Sequence, residues 1–139
     1  MRVSFFAWEA SWSRLLTLDQ LKRRGWNIPN RCYLCKTEEE TIDHLLLFCD
    51  KARMLWNLIY SLFGVKWVMH SSIRRNLLGW HSSFVGKKWE KAWRAAPLCL
   101  LWTIWNERIR RAFNDVKRFN QAIKSIFIYT FVNWAKEYK

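Results

Sequence analysis

Three cysteines and a histidine carry the clearest chemistry in this chain, in the order Cys32-x2-Cys35-x8-His44-x4-Cys49. Three thiolates and one imidazole are a donor set that tetrahedral Zn2+ favours, and a closed four-ligand shell leaves no position for a reacting water. The pattern therefore predicts one structural zinc ion. Tyr33 and Leu34 separate the first pair by the span of a tight turn, so two sulfurs can meet one ion from a single bend. Glu40, Thr41 and Asp43 then open a helical turn, and the five-residue step from His44 to Cys49 keeps both ligands within reach of one side of it. Cys99, inside Leu98-Cys99-Leu100-Leu101-Trp102, lies far from any other Cys or His and reads as a packed core thiol. His70 and His81 have no partners at ligand spacing and read as ordinary polar residues.

The second chemical signal is charge. Twenty-four Lys and Arg against 11 Asp and Glu give a formal net charge of +13, which calls for an anionic partner, with nucleic acid the commonest. The charge is unevenly spread. Residues 32–50 hold one basic side chain, Lys36, among Glu38, Glu39, Glu40, Asp43 and Asp50. The metal loop thus reads as an anionic patch on a cationic chain, where phosphate is repelled unless Arg31 and Lys36 dominate locally. Zinc is accordingly expected to staple the N-terminal helices to the helix after Asp50, with phosphate contact elsewhere. The candidates are Lys22-Arg23-Arg24, the set Lys87, Lys88, Lys91 and Arg94, and the trio Arg108, Arg110 and Arg111. On a helix Lys87, Lys91 and Arg94 share a side opposite Trp89 and Trp93, a basic stripe over an aromatic stripe that faces a core.

The elements that must position these residues read as helices almost throughout, because apolar residues recur at period 3.6 and period 2 never persists. The class expected is all-α: a small helical domain whose Cys3His site, similar to a zinc knuckle, joins an N-terminal helix pair to a C-terminal helical bundle. A first helix is predicted over Val3–Leu16. A short second one is capped by Thr17, with Gln20 reaching back, and stops at Gly25. Asn27, Pro29 and Asn30 then make the loop that delivers Cys32. A third helix starts near Asp50 as cap, buries Leu55, Leu58, Ile59 and Leu62, and ends at Gly64. Ser71 and Ser72 cap a short helix through Leu78. From Lys87 to Phe113 the face Trp89, Trp93, Ala96, Leu100 and Ile104 is helical, although Pro97 should kink it or start a new helix. The last helix, Asn120 to Tyr138, sets Ile123, Ile126, Phe127, Thr130, Trp134 and Tyr138 along one stripe. The division expected is a zinc-binding part over residues 1–64 and a basic, Trp-rich extension over 65–139 packed on it.

Several classes are set aside. Four cysteines without a secretory signal do not make a disulfide framework, and Glu9 interrupts the apolar run Phe5–Trp8 too early for a signal peptide. The run Ala95–Trp105 is about half the length that a membrane span needs. An intracellular protein, of nucleus or cytoplasm and not secreted, is expected.

Phe5-Phe6-Ala7-Trp8, Leu16-Thr17, Leu21, Arg24-Gly25, Cys32-x2-Cys35, Glu40-Thr41, His44-Leu45-Leu46, Cys49 and Leu55-Trp56 together resemble the reverse-transcriptase zinc-binding domain of plant LINE-type (non-LTR) retrotransposons. Trp102-Thr103-Ile104-Trp105-Asn106-Glu107-Arg108-Ile109-Arg110-Arg111-Ala112-Phe113 resembles that family's downstream Trp-x-Ile-Trp-x-x-Arg-Asn-x-Arg-x-Phe element, with Ile109 where Asn is usual. The likeness spans residues 3–60 closely and 95–115 more loosely. It implies descent from the C-terminal end of a retrotransposon polyprotein, downstream of the polymerase. The chain shows no Asp pair for polymerase metals, no spaced acidic set for a two-metal nuclease, no Gly-rich phosphate loop and no nucleophile elbow, so no enzyme is expected. Two functions follow: an accessory domain that binds RNA or DNA without sequence preference, or a protein-interaction module docking to the polymerase portion or a host partner. Attachment to a membrane surface is a weaker third.

Overall fold

The computed structural model describes residues 15–83, 86–114 and 118–137, and every regular element among them is helical. In chain order they are α1 (Leu18–Arg23), a π-helical turn (His44–Phe48), α2 (Asp50–Phe63), α3 (Ile73–Ser82), a 3-10 turn (Lys87–Trp89), α4 (Glu90–Asn114) and α5 (Asn120–Glu137). The helix predicted over Val3–Leu16 lies outside the described residues except for its last two, and Tyr138 also falls outside.

One core runs through the molecule. Leu45, Leu46 and Leu47 of the π turn, Leu55, Trp56 and Ile59 of α2, Ile73 and Trp80 of α3, Trp93, Leu100 and Ile104 of α4, and Ile123 and Phe127 of α5 are all buried in it. Described residues on both sides of Gly64 share this hydrophobic interior, with α4 packed between α2 and α5. Leu62, expected inside, is 52% exposed near the end of α2. Gly64 ends that helix in the left-handed region, at φ 64°, which a residue without Cβ reaches freely. The cap at its other end shifts by one residue: Cys49 takes the N-cap position and Asp50 the first turn.

Much of the tryptophan is packing. The Trp80 and Trp93 rings stack with centroids 3.6 Å apart, and Trp67, Trp56 and Phe63 meet Trp80 edge-on. This stack also explains how Pro97 sits inside α4 without ending it. Proline has no N–H, so the carbonyl of Trp93, four residues earlier, loses its helical donor. Trp80 Nε1–H donates to that carbonyl instead, at 2.6 Å. Trp93 Nε1–H in turn donates to the Trp80 carbonyl at 2.7 Å, near the end of α3, where Ser83 N–H also donates to it at 3.2 Å. Of the stripe expected on α4, Trp93, Ala96, Leu100 and Ile104 are buried, but Trp89 is 54% exposed. It lies in the 3-10 turn before the helix, where the 3.6-residue period does not yet hold. Ser72 caps α3 as expected, accepting from Arg75 N–H, and the helix continues past Leu78 to Ser82.

Candidate metal centre

The donor atoms of Cys32, Cys35, His44 and Cys49 all lie within 4.8 Å of one another. Cys32 Sγ and Cys49 Sγ are 4.0 Å apart, and Cys35 Sγ is 3.2 Å from His44 Nε2. Zn–S bonds of about 2.3 Å and Zn–N bonds of about 2.0 Å, at tetrahedral angles, would separate two sulfurs by about 3.8 Å and a sulfur and nitrogen by about 3.5 Å. The side chains thus stand where a single zinc ion holds them, and the donor set fits that metal.

Local structure places each ligand. Lys36 N–H closes the first turn onto the Cys32 carbonyl at 2.9 Å, with Lys36 itself left-handed at φ 61°. Leu34 N–H donates to Cys32 Sγ, and Thr37 Oγ1 donates to Cys35 Sγ, each at 3.4 Å. Thr41 Oγ1 accepts from His44 N–H at 3.0 Å and steadies the start of the next turn. The π turn then solves a geometric problem. Residues five apart in a regular α-helix point about 140° away from each other. Here Cys49 N–H bonds the His44 carbonyl at 2.6 Å, an i to i+5 closure that widens the turn and brings both side chains to one side.

The thiols show the electrostatics of a site built for a cation. Cys32 is drawn down to about 6 by its hydrogen bond with Cys49, against the cost of burial and with help from the backbone N–H groups of Cys35 and Leu34. Cys49 is pushed upward by the same hydrogen bond, by burial and by the neighbouring Cys32 charge. Burial works against ionising Cys35, but hydrogen bonds from Thr37, from backbone N–H groups and from His44 outweigh it and lower its pKa. A divalent ion bound here would displace the proton held between Cys32 and Cys49 and would be held by the three cysteines and His44. Cys99 sits apart, fully buried, its thiol pushed up to about 12 by burial alone.

Beside the ligands lies a group whose role sequence reasoning did not reach. Glu40 is fully buried. Its Oε1 accepts from Leu18 N–H at the start of α1 (3.0 Å) and from Arg108 Nη2 (2.7 Å) and Nε (3.2 Å), while Oε2 accepts from Tyr33 N–H (3.2 Å). One carboxylate thereby ties α1, the metal loop and α4 together. It also takes up an orphan donor at the start of α1, where Thr17 makes no side-chain cap bond and instead donates to Asp19. A second buried carboxylate, Glu107, accepts from Arg111 Nε at 2.8 Å and Arg118 N–H at 3.1 Å. Arg111 Nη1 donates on to the Leu34 carbonyl in the first ligand turn, at 2.9 Å. The one available sequence signal was position: Glu40 directly precedes Thr41, whereas Glu38 and Glu39 do not.

This geometry corrects two of the expected phosphate contacts. The side chains of Arg108 and Arg111 are only 6% and 7% exposed, and both guanidiniums are engaged inside the fold. They hold the metal loop against α4, and little of either side chain reaches solvent. The others lie further out. Lys22, Arg23 and Arg24 are exposed at the end of α1, as are Lys87, Lys88, Lys91 and Arg94 around the start of α4, while Arg110 is half-buried. Arg94 pairs with Glu90 at 3.0 Å across one turn, and Lys88 lies 5.2 Å above the Trp89 ring. The acidity of the metal loop is also partly internal: Glu40 is buried, and Asp43 Oδ1 accepts from Ile73 N–H at the start of α3.

Residues 1–56 match the family model described as zinc-binding in reverse transcriptase, a span that holds all four ligands and Glu40. Comparison with curated proteins and with solved structures gives no match. The ligand cluster and the family match together identify a zinc-binding unit with one structural zinc ion. No helix among the described residues is long and apolar enough to cross a membrane.

Proposed function

We propose that this chain is the zinc-stabilised accessory part of a LINE-type retrotransposon reverse transcriptase, of the plant kind its sequence resembles. Its task in this reading is to hold RNA or DNA near the polymerase, within the nucleus or cytoplasm. It does so by binding phosphates through exposed cations, with no bond made or broken. The observation that carries the reading is the coincidence of a zinc-binding match from reverse transcriptases with solvent-facing lysines and arginines at two places, the end of α1 and the start of α4. Phosphate contacts of this kind position a nucleic acid without reading its sequence. The contact set is Lys22, Arg23 and Arg24 at the end of α1 and Lys87, Lys88, Lys91 and Arg94 around the start of α4, with the half-buried Arg110 further along α4.

The test is the triple reversal Lys87→Glu, Lys91→Glu and Arg94→Glu, measured by anisotropy on unrelated sequences over a salt series. Binding should weaken about equally for each sequence, and the slope of log K should flatten by about 0.9 per lost contact on duplex DNA and about 0.7 on single strands. Replacing the exposed Glu38 and Glu39 with Gln should leave affinity equal or slightly higher. A silent triple reversal would move the second reading, docking to the polymerase portion, to first place. That reading draws on an apolar groove lined by Leu62, Phe63, Trp89, Ala92 and Phe131, with Leu62 and Trp89 both exposed.

A further inference from the structure

A cleft of about 700 Å3 opens beside the first ligand turn, within the size range of small-molecule and nucleotide sites. Leu18 and Pro29 form its apolar wall, Tyr33 contributes a ring, and Arg31, Lys36, Arg111 and the metal ligand Cys32 line the rest. Among the described residues that line it there is no carboxylate. The sequence count alone gives the opposite expectation, because residues 32–50 are acidic. The fold keeps that acidity out of the cleft walls: Glu40 is buried against Arg108, Asp43 accepts from Ile73 N–H at the start of α3, and Glu38, Glu39 and Asp50 are not among the lining residues. Arg31, Lys36 and Arg111 are the cationic side chains among its described lining residues.

The aromatic side of the cleft is fixed in place. Arg108 stacks its guanidinium on the Tyr33 ring at 4.8 Å, and Tyr33 N–H is tied to Glu40. Arg111 braces the same turn through the Leu34 carbonyl. Lys36 projects from the left-handed residue that closes the turn, and Arg31 is exposed, its guanidinium bonding the adjacent Asn30 carbonyl. A held ring beside two solvent-facing cations is the arrangement that seats a base and its flanking phosphates; a paired base keeps its faces within the duplex stack.

We infer that this cleft seats one nucleotide of single-stranded RNA or DNA, its base on Tyr33 and its phosphates at Arg31 and Lys36. The inference deepens the proposed function and rests on it. The basic helices track the backbone of either a duplex or a single strand, and the cleft adds a preference for the unpaired form.

The full zinc-loaded chain is titrated with a labelled 12-nucleotide single-stranded RNA and with a duplex of the same length, over a salt series. The double variant Arg31→Gln/Lys36→Gly removes both charges, and Gly suits the left-handed position, so the turn is kept. It should weaken single-strand binding at least tenfold and flatten its salt slope by about 1.4, two contacts at about 0.7 each, while duplex affinity changes less than twofold. Tyr33→Leu should cost the single strand about fivefold or more with the slope unchanged, and Tyr33→Phe should retain binding. Metal analysis accompanies each variant, and Arg31→Gln alone carries the test should Tyr33→Leu lose zinc. Equal effects on duplex and single strand, or silent cleft variants beside an effective Lys87/Lys91/Arg94 reversal, would overturn the cleft and leave the proposed function standing. A wild-type chain that binds neither probe at low salt would overturn both.

Discussion

Glu38, Glu39 and Glu40 are chemically identical neighbours, yet two are exposed and the third is buried and accepts four hydrogen bonds. Removing one partner of a buried pair strands the other charge, at a cost of about 3–5 kcal/mol. Arg108→Met should therefore destabilise the zinc-loaded protein by about that amount in urea melts. Adding Glu40→Gln should recover part of the loss, because the stranded charge is gone; an additive double variant would show that the two act separately. The metal ligands act on a larger scale, since a structural zinc contributes on the order of 10 kcal/mol, comparable to the stability of a small domain. Cys35→Ser, His44→Ala and EDTA should each lose helical signal by circular dichroism. Cys99→Ala or Cys99→Val should keep about one zinc per chain, because four ligands already close the shell. Loss of metal in a Cys99 variant would place the fourth ligand wrongly.

Helix α4 shows how an element can carry a residue that ought to break it. Pro97 frees the Trp93 carbonyl, and the indole of Trp80 from another helix supplies the missing donor. The reciprocal bond from Trp93 to Trp80 makes the two helices depend on each other. Trp80→Phe keeps an aromatic ring in the stack but leaves a buried carbonyl without its donor, and it should cost about 2–4 kcal/mol. Proton exchange should show the loss in the segment around Pro97 as well as in α3. If α3 alone loosened, the indole bond would not be what sustains α4.

At the level of the whole molecule, the zinc-binding match ends at residue 56, yet the side chains that brace the ligand loop lie beyond it. Arg108 and Arg111 come from the far part of α4, and Trp56 and Ile59 are buried in a core that also contains Trp80, Trp93 and Phe127. A fragment ending at Gly64 would expose those apolar faces and leave Glu40 buried without a counter-charge. It should show little cooperative melting even with zinc, whereas the full chain should melt in one transition. A zinc-bound fragment with a sharp melt would instead establish residues 1–64 as an independent unit.

The sequence by itself determined the ligand set, the helical class and the charge. Donor type and spacing are local properties, and a 3.6-residue apolar period needs no partner to be visible. The same locality limited it. Thr17 stood where an N-cap belongs, but the donor at Leu18 went to a carboxylate 22 residues away, since distance along the chain does not measure distance in space. The five-residue step to Cys49 announced a shared side without announcing the π turn that achieves it. Arg108 and Arg111 look like Arg110 in a row of cations, yet the fold takes the first two inside. Formal charge adds along a sequence, whereas the field at a surface depends on which charges are buried and paired. Only the tertiary structure could therefore turn an acidic loop into the wall of a basic cleft.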